Sequence, residues 1–291
     1  MRPFHLLRLL LLIGLLLAGA HAQATERVVT IAPHLAELVC VAAGCEVLVA
    51  VTAYSDYPPQ IRSLPKVGDV AQLNLEALLA LTPTQVIAWD GGTPKAQLAK
   101  LRSVKLPVTV LRIDRLDDVA TALEQLGKLL GTEARANAAA ADYRQRLATL
   151  RSRYASARRL RVLYQTETAP VYSVNRSSPI SEAITLCGGI NVFADLPTLA
   201  APVTDEAVLA TRPQVVIHGP DESAAVAAYW ARFAKATGTP PQRVAIDPDL
   251  LTRAGPRLVQ GVEQVCAALA AARLEFPQGV TGGRQSARPA T

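Results

Sequence analysis

The side chains best suited to chemistry in this 291-residue chain are its cysteines and histidines. The four cysteines are Cys40, Cys45, Cys187 and Cys266. No Cys-x-x-Cys or paired-histidine spacing accompanies them, so they lack the pattern of a zinc site. Four cysteines allow three disulfide pairings. Cys40 with Cys45 would be a short local bond. Cys187 with Cys266 would close a long loop and stabilise the fold by roughly 4–5 kcal/mol.

The sequence contains no common catalytic motif. There is no Gly-x-Ser-x-Gly elbow, Walker loop, His-Glu-x-x-His or Gly-x-Gly-x-x-Gly segment. Two histidines, His34 and His218, lie beyond the first two dozen residues, and nothing local pairs either with a nucleophile. The sequence therefore predicts a binding protein rather than an enzyme. His34 follows a predicted strand, where it would either start a helix or act as an axial ligand of a bound metal centre.

The first 22 residues are typical of a signal peptide. Arg2 and Arg8 precede and flank an apolar run at 9–17, and Ala20-His21-Ala22 forms a small-x-small cleavage site. The run is short for a membrane anchor, which is the alternative. We therefore predict a protein secreted to the periplasm, a compartment that permits disulfides.

The charge is modest and dispersed. Removal of residues 1–22 takes away two arginines and no acid, which leaves 28 basic and 24 acidic side chains. A small basic cluster comprises Arg151, Arg153, Arg158, Arg159 and Arg161. It lacks the density and the interleaved aromatics of a nucleic-acid site, so we interpret it as a solvated helix face and predict no nucleic-acid partner.

Short β-branched apolar runs alternate with segments of helical period. This alternation predicts an α/β fold with mainly parallel sheets. The predicted strands are 27–31, 47–51, 85–88, 107–113, 160–165, 214–217 and 243–246. The predicted helices include 35–43, 75–81, 116–130 and 256–271.

The middle of the chain, residues 133–157, contains neither Pro nor Gly and is rich in strong helix formers. Strand–helix alternation on both sides favours a rigid connector between two lobes over one more surface helix. We predict an N-terminal lobe over 25–131, a connecting helix over 132–158 and a C-terminal lobe over 159–274. Residues 275–291, rich in Gly, Arg, Ser and Pro towards their end, are predicted to form a disordered tail.

An internal repeat supports two related lobes. Residues 74–87 read NLEALLALTPTQVI and residues 204–217 read TDEAVLATRPQVVI, with seven of fourteen positions identical. Each segment reads as a cap residue, a short amphipathic helix, a proline stop and a buried strand. Coincidence between two units of similar composition is the alternative. A cleft between two lobes is a common place for a ligand.

Several motifs resemble the periplasmic cobalamin-binding proteins of ABC importers, within a broader family that binds corrinoids, haem and iron siderophores. The similarity extends over about 27–273. The motifs are YSDYPP at 54–59, NLE at 74–76, VIAWDGG at 86–92, CGGINVF at 187–193 and Asp249-x-x-x-Arg253-Ala-x-Pro-Arg257. The resemblance implies a class III periplasmic binding protein, with two α/β lobes joined by a long backbone helix and the ligand in the cleft between them.

The resemblance also implies roles for individual residues. Tyr54, Trp89 and Tyr172 match aromatics that cover the broad apolar face of a corrinoid, a ligand that would be cargo rather than cofactor. Asp249 and Arg253 match polar residues that reach its amide-rich rim. We therefore expect a monomer that captures cobalamin or a related corrinoid and delivers it to an importer.

Glu76 and Glu206 occupy equivalent places in the internal repeat, in the first turn of a predicted helix. A carboxylate there is favourable to the helix dipole on its own account. The resemblance implies a further role, in which each glutamate docks onto arginines of the permease dimer. It also implies a Cys187–Cys266 disulfide, whereas a Cys40–Cys45 bond is not part of the family pattern.

The sequence departs from the family at two cleft positions. Val70 stands where relatives often carry Trp, and Leu-Ala-Ala-Pro at 199–202 stands where another Trp can occur. Both losses remove stacking surface. Cobinamide, haem and a ferric siderophore therefore stay as alternative ligands, and an envelope enzyme is the least favoured reading.

Overall fold

The computed structural model describes residues 26–69 and 72–276. The predicted signal peptide, Val70 and residues 277–291 of the predicted tail lie outside the described residues. The predicted tail overlaps the last helix by one residue, because Glu275 is still helical. Within the described ranges, no helix combines the length and the hydropathy needed to cross a membrane.

The first half of the chain forms a four-stranded parallel sheet. Its strands are β1 (Val28–Thr30), β2 (Leu48–Ala50), β3 (Gln85–Trp89) and β4 (Val108–Leu111), in the spatial order β2-β1-β3-β4. Its helices are α1 (Pro33–Ala42), α2 (Leu75–Ala80), α3 (Lys95–Ser103) and α4 (Asp118–Leu130). Parallel strands need crossover connections, and these helices supply them.

The second half repeats this arrangement. Strands β5 (Leu160–Tyr164), β7 (Gly189–Asn191), β9 (Val215–His218) and β10 (Gln242–Ala245) form a parallel sheet of order β10-β9-β5-β7. Strands β6 (Val171–Val174) and β8 (Ala200–Val203) form a separate antiparallel pair. The helices are α6 (Pro179–Leu186), α7 (Asp205–Thr211), α8 (Ser223–Arg232), α9 (Ala234–Thr237), α10 (Asp249–Thr252) and α11 (Leu258–Glu275).

The predicted α/β fold with mainly parallel sheets is confirmed. All seven predicted strands are present, each within two residues of the predicted ends. The sequence did not predict β6, β7 or β8. Both main sheets have the same strand order when the second is written in reverse, as β7-β5-β9-β10. In each sheet the first strand of that half (β1 or β5) is second in the order, and the strand of the internal repeat (β3 or β9) lies next to it.

A single long helix, α5 (Glu133–Tyr154), lies between the two sheets in sequence. It ends four residues before the predicted limit and is about 33 Å long. Its buried residues follow the period of one helix face: Ala136, Ala140, Tyr143 and Leu147. This face packs against α1 and α4 from the first half and against α6 and α11 from the second. Gly127 allows α4 to approach α5 closely, since a Cβ there would collide with Ala136.

The main hydrophobic core runs through both halves. One continuous cluster of buried side chains includes Leu35 and Leu123 from the first half, Tyr143 of α5, and Ile184 and Val262 from the second. Disulfides join Cys187 to Cys266 and Cys40 to Cys45. The Cys187–Cys266 bond ties α11 to the residue that follows α6. Because the core is shared, the halves are held in one relative position by packing as well as by the long helix.

Candidate ligand-binding cleft

A cavity of about 1090 Å³ lies between the two halves. One wall comes from the carboxyl ends of β3 and β4, with Trp89, Gly91 and residues 112–115. The opposite wall comes from the end of β6, the first turns of α6 and strand β7. Segments that follow the carboxyl ends of parallel strands are the usual ligand-binding edge of an α/β sheet.

Trp89 is the last residue of β3 rather than the first residue after it, and its indole lines the cavity. The ring lies against the backbone of the following turn, where a Cβ at Gly91 would come within 2.7 Å of it. The His34 ring meets the indole edge to face, with centroids 4.8 Å apart. The Nε1 of Trp89 has no hydrogen-bond partner among the described residues. Local glycines and His34 therefore fix the indole as an apolar surface.

His34 lies behind Trp89 rather than on the cavity wall. Only 5% of the residue is exposed. Burial, together with the positive charge of Arg253, lowers its pKa to about 4, so the imidazole is neutral at physiological pH. Its Nε2 has no hydrogen-bond partner in the described part of the chain. Its role as an axial ligand stays a prediction.

Tyr54 and Tyr172 lie outside the cavity lining. Tyr54 is 79% exposed and has a φ of 64°, in the left-handed region that a non-glycine residue adopts at some cost. Tyr172 is half-buried in β6, where it pairs with Pro202 of β8. An exposed aromatic residue in a strained backbone conformation is typical of a functional position. Tyr54 therefore remains a candidate ligand contact.

Arg253 lies between two cavity-lining residues, Thr252 and Ala254, but its guanidinium is already engaged. It contacts Asp56 at 2.6 Å, Asp249 at 2.9 Å and Glu37 at 3.6 Å. Burial raises the pKa of Asp249, whereas the hydrogen bond from Arg253 lowers the pKa of Asp56. The sequence-predicted pair Asp249 and Arg253 therefore does come together, as part of a larger charged cluster.

Glu37 is the acidic centre of this cluster. It is 2% exposed and receives two 2.8 Å hydrogen bonds from Arg257. Arg257 also covers the ring of Tyr57, with its guanidinium carbon 4.0 Å from the ring centroid. Glu37 belongs to α1 in the first half and Arg257 directly precedes α11 in the second. The cluster thus joins the two halves beside the cavity.

Four arginines line the cavity itself: Arg112, Arg115, Arg159 and Arg176. Arg112 pairs with Asp114 at 2.5 Å and Arg115 pairs with Glu182 at 3.0 Å. Glu182 also accepts a 3.0 Å hydrogen bond from the backbone N–H of Leu116, which links α6 to the first half. The interpretation of the basic cluster as one helix face was wrong for Arg158, Arg159 and Arg161, because α5 ends before all three. The Arg159 side chain is exposed and donates to the Gly189 carbonyl of β7 at 3.4 Å.

Glu76 and Glu206 are both exposed, and both are the second residue of a capped helix. The cap residues are Asn74 and Thr204, which accept hydrogen bonds from the backbone three residues later. Backbone and Thr204 hydrogen bonds lower the pKa of Glu206. Each helix precedes a strand and runs antiparallel to it, so its amino end lies at the carboxyl edge of its sheet, where the cavity opens.

A family model described as "periplasmic binding protein" matches residues 28–239 of the chain. This match covers most of both halves. The chain belongs to that family.

Relatives of known name fit this assignment. The chain is 35% identical over 268 residues to the vitamin B12-binding protein of Pectobacterium carotovorum, covering 89% of this chain and 94% of that protein. Among solved structures, the periplasmic vitamin B12 binding protein BtuF of Vibrio cholerae is similar with a TM-score of 0.77 and 36% identity, over 85% of this chain and 98% of that one. A periplasmic haem-binding protein from Pseudomonas aeruginosa is similar with a TM-score of 0.69 and 27% identity, over 84% and 92%.

Sequence reasoning identified one side chain of this periplasmic binding protein that lines the cavity, Trp89, and missed the charged groups around it. Arg112 and Arg115 follow β4 just as Trp89 ends β3, so the rule that nominated Trp89 applied to them as well. The local sequence did not mark Glu37 as part of the site, because its hydrogen-bond partner Arg257 lies 220 residues away along the chain.

Proposed function

We propose that this protein is a periplasmic carrier that captures cobalamin or a closely related corrinoid in its cleft. The observation that carries the proposal is a cavity of about 1090 Å³ between the two halves, with the indole of Trp89 on its wall. This volume lies just above the usual range of about 300–1,000 Å³ for small-molecule pockets, which favours a large ligand. The relatives named for vitamin B12 binding support the same class of ligand.

The chemistry of the walls suits a flat macrocycle with a polar rim. The flat face of an indole packs well against the apolar face of a macrocycle. Serine, asparagine and arginine side chains on the opposite wall can bond amide substituents. We propose that Tyr54 extends the aromatic surface beyond the cavity mouth, and that Asp249 and Arg253 contact the rim from the charged cluster beside it. Tyr172, half-buried in β6, is proposed as a supporting contact.

We further propose that the protein delivers its ligand unchanged to an ABC importer after export and removal of residues 1–22. A monomer with one exposed glutamate per half, Glu76 and Glu206, suits a two-fold permease dimer. Replacing both by alanine should leave corrinoid affinity within about twofold of the wild-type value, because neither lines the cavity. It should abolish stimulation of the reconstituted importer. Equal loss of ligand binding would refute the docking role.

Calorimetric titration of the mature protein with cyanocobalamin tests the main proposal. We expect saturable one-to-one binding and recovery of chemically unchanged cyanocobalamin. A titration with haemin serves as the comparison. Binding of haemin alone would contradict the corrinoid assignment while keeping the carrier role, and conversion of the ligand would contradict the carrier role.

Haem is the second candidate, because His34 offers a neutral imidazole whose Nε2 has no partner among the described residues. Coordination would require the ring to move past Trp89 into the cavity. A haem carrier should therefore show a visible spectrum that changes in the His34→Ala variant, whereas a corrinoid carrier should retain its ligand spectrum.

A further inference from the structure

The walls of the cavity carry an excess of positive charge. Four arginines face two carboxylates, Asp114 and Glu182, so the lining has two more cations than anions. The arginines come from both halves: Arg112 and Arg115 follow β4, whereas Arg159 precedes β5 and Arg176 follows β6. A neutral ring with amide substituents would require no such excess.

The arginines differ in how far they are already neutralised. Asp114 engages Arg112, and Glu182 engages Arg115 while also bonding the Leu116 backbone. Arg176 pairs with Asp195, which is not part of the cavity wall. Arg159 donates to a backbone carbonyl and forms no salt bridge with any residue that the structure describes. Arg112 and Arg176 are largely exposed, so their guanidinium groups can reach a ligand without leaving a buried acid unpaired.

The amino end of α6 adds to the same wall. Ser178 caps this helix through a 3.2 Å hydrogen bond from the Ile180 N–H, and Ser178, Pro179 and Ile180 all line the cavity. The amino end of a helix carries partial positive charge, which reinforces the field of the arginines. Guanidinium groups bind phosphate and carboxylate oxygens through paired hydrogen bonds.

We infer that these arginines form a subsite for an anionic substituent of the bound macrocycle, and specifically for the phosphodiester of the nucleotide loop of a complete corrinoid. The inference rests on the proposed function. It makes the protein selective for cobalamin over cobinamide, which has the same ring but no phosphodiester. Carboxylates on the edge of haem share this chemistry and are the other source of such an anion.

The test compares cyanocobalamin, dicyanocobinamide and haemin by calorimetric titration. The variant is Arg112→Gln with Arg176→Gln, which removes one cation from each half. The matched control is Arg102→Gln with Arg243→Gln, two exposed arginines outside the cavity wall, again one from each half. Unfolding by denaturant confirms that both double variants remain folded.

The wild-type protein should bind cyanocobalamin about tenfold more tightly than dicyanocobinamide, since one charge-assisted contact is worth about that factor. The advantage should shrink as salt rises from 0.01 to about 0.5 M, because the charges are partly exposed. The cavity variant should lose this advantage and keep its affinity for dicyanocobinamide, whereas the control should behave as wild type.

Equal affinity of the wild-type protein for the two corrinoids would overturn the subsite and leave the proposed function standing. Equal losses for both corrinoids in the cavity variant would also overturn it, because the arginines would then act on the ring or on the fold. Weakened haemin binding with unchanged cyanocobalamin binding would overturn the phosphodiester assignment in favour of carboxylates. If neither corrinoid binds, the proposed function fails, and the subsite fails with it.

Discussion

The two halves of the molecule share a scaffold and differ at the edge where they meet the cavity. In each half an arginine at the start of the first strand donates from its side chain to a carbonyl at the end of the repeated helix. These arginines are Arg27, which directly precedes β1, and Arg161, the second residue of β5. In each half the residue before the repeated proline, Thr82 or Arg212, has a φ near 45°. The same local construction therefore holds the helix against the strand twice.

The strand ends do not repeat. The position of Trp89 in the first half corresponds to Gly219 in the second when the two repeats are superposed in sequence. The first half thus contributes an aromatic surface together with Arg112 and Arg115, whereas the second contributes α6 and Arg176 but no aromatic side chain to the cavity lining. Comparison of the halves separates positions that build the frame from positions that are free to hold a ligand.

The two tryptophans of the chain offer the largest contrast. Trp230 of the second half is 1% exposed and donates to Gln165 at 3.1 Å. Trp230→Ala should lower the free energy of unfolding by about 4 kcal/mol, since it empties a packed core position. Trp89→Ala should cost less stability, because Trp89 is only half-buried at the edge of the core, and it should weaken cyanocobalamin binding at least about tenfold. Denaturant unfolding and calorimetry check both, with Trp230→Phe as the control. Loss of binding without loss of stability in Trp230→Ala would break the contrast.

The charged contact between the halves should produce the next largest effect. Arg257→Ala leaves the carboxylate of Glu37 buried without its paired hydrogen bonds, which should cost about 3 kcal/mol of unfolding free energy. Arg253, 3.6 Å away, offsets part of the loss. Combining Arg257→Ala with Glu37→Gln should recover much of the stability, because no unpaired charge remains. A single variant within about 0.5 kcal/mol of wild type would show that the contact does not hold the halves together.

Acid should lower the free energy of unfolding of the protein through His34, which lies in the first half. Its pKa is lowered from 6.5 to about 4 in the folded protein, so between those values the unfolded chain binds a proton that the folded chain does not. The stabilising contribution is therefore complete above pH 6.5 and falls by roughly 2–3 kcal/mol as the pH drops to 4. Denaturant unfolding at several pH values should give a steeper decline for wild type than for His34→Gln. Parallel pH profiles would contradict this account.

Removal of the helix caps should have the smallest effect on the free energy of unfolding, and the effect should be similar in the two halves. Asn74 accepts from the Ala77 N–H at 3.0 Å and Thr204 accepts from the Ala207 N–H at 3.2 Å. Asn74→Ala and Thr204→Ala should each cost about 1 kcal/mol of unfolding free energy. Clearly unequal costs would show that the repeat is alike in geometry but not in energy.

Local patterns made most of the frame predictable from the sequence. β-branched runs predict every strand of the two main sheets except β7, which reads Gly-Ile-Asn, and the caps and prolines predict the repeated helices. Strands β6 and β8 were not predicted, because β8 reads Ala-Ala-Pro-Val and because their pairing joins residues about 30 positions apart. Pairings of that kind carry no local period.

The cavity was only partly predictable for the same reason. Trp89 could be nominated from a strand-end position alone. The burial of His34 and the engagement of Arg253 by Glu37 and Asp56 depend on contacts across the two halves. Such contacts are set by the packing of α1 and α11 against the long helix, which no single segment encodes.

A crystal structure of the mature protein with cyanocobalamin tests the central claim most directly. We predict one corrinoid between the two halves, with its ring against Trp89 and its phosphodiester towards Arg112 and Arg176. The two sheets should keep their relative position, because one core runs through both. A ligand bound to one half alone, or outside the cavity, would contradict the account.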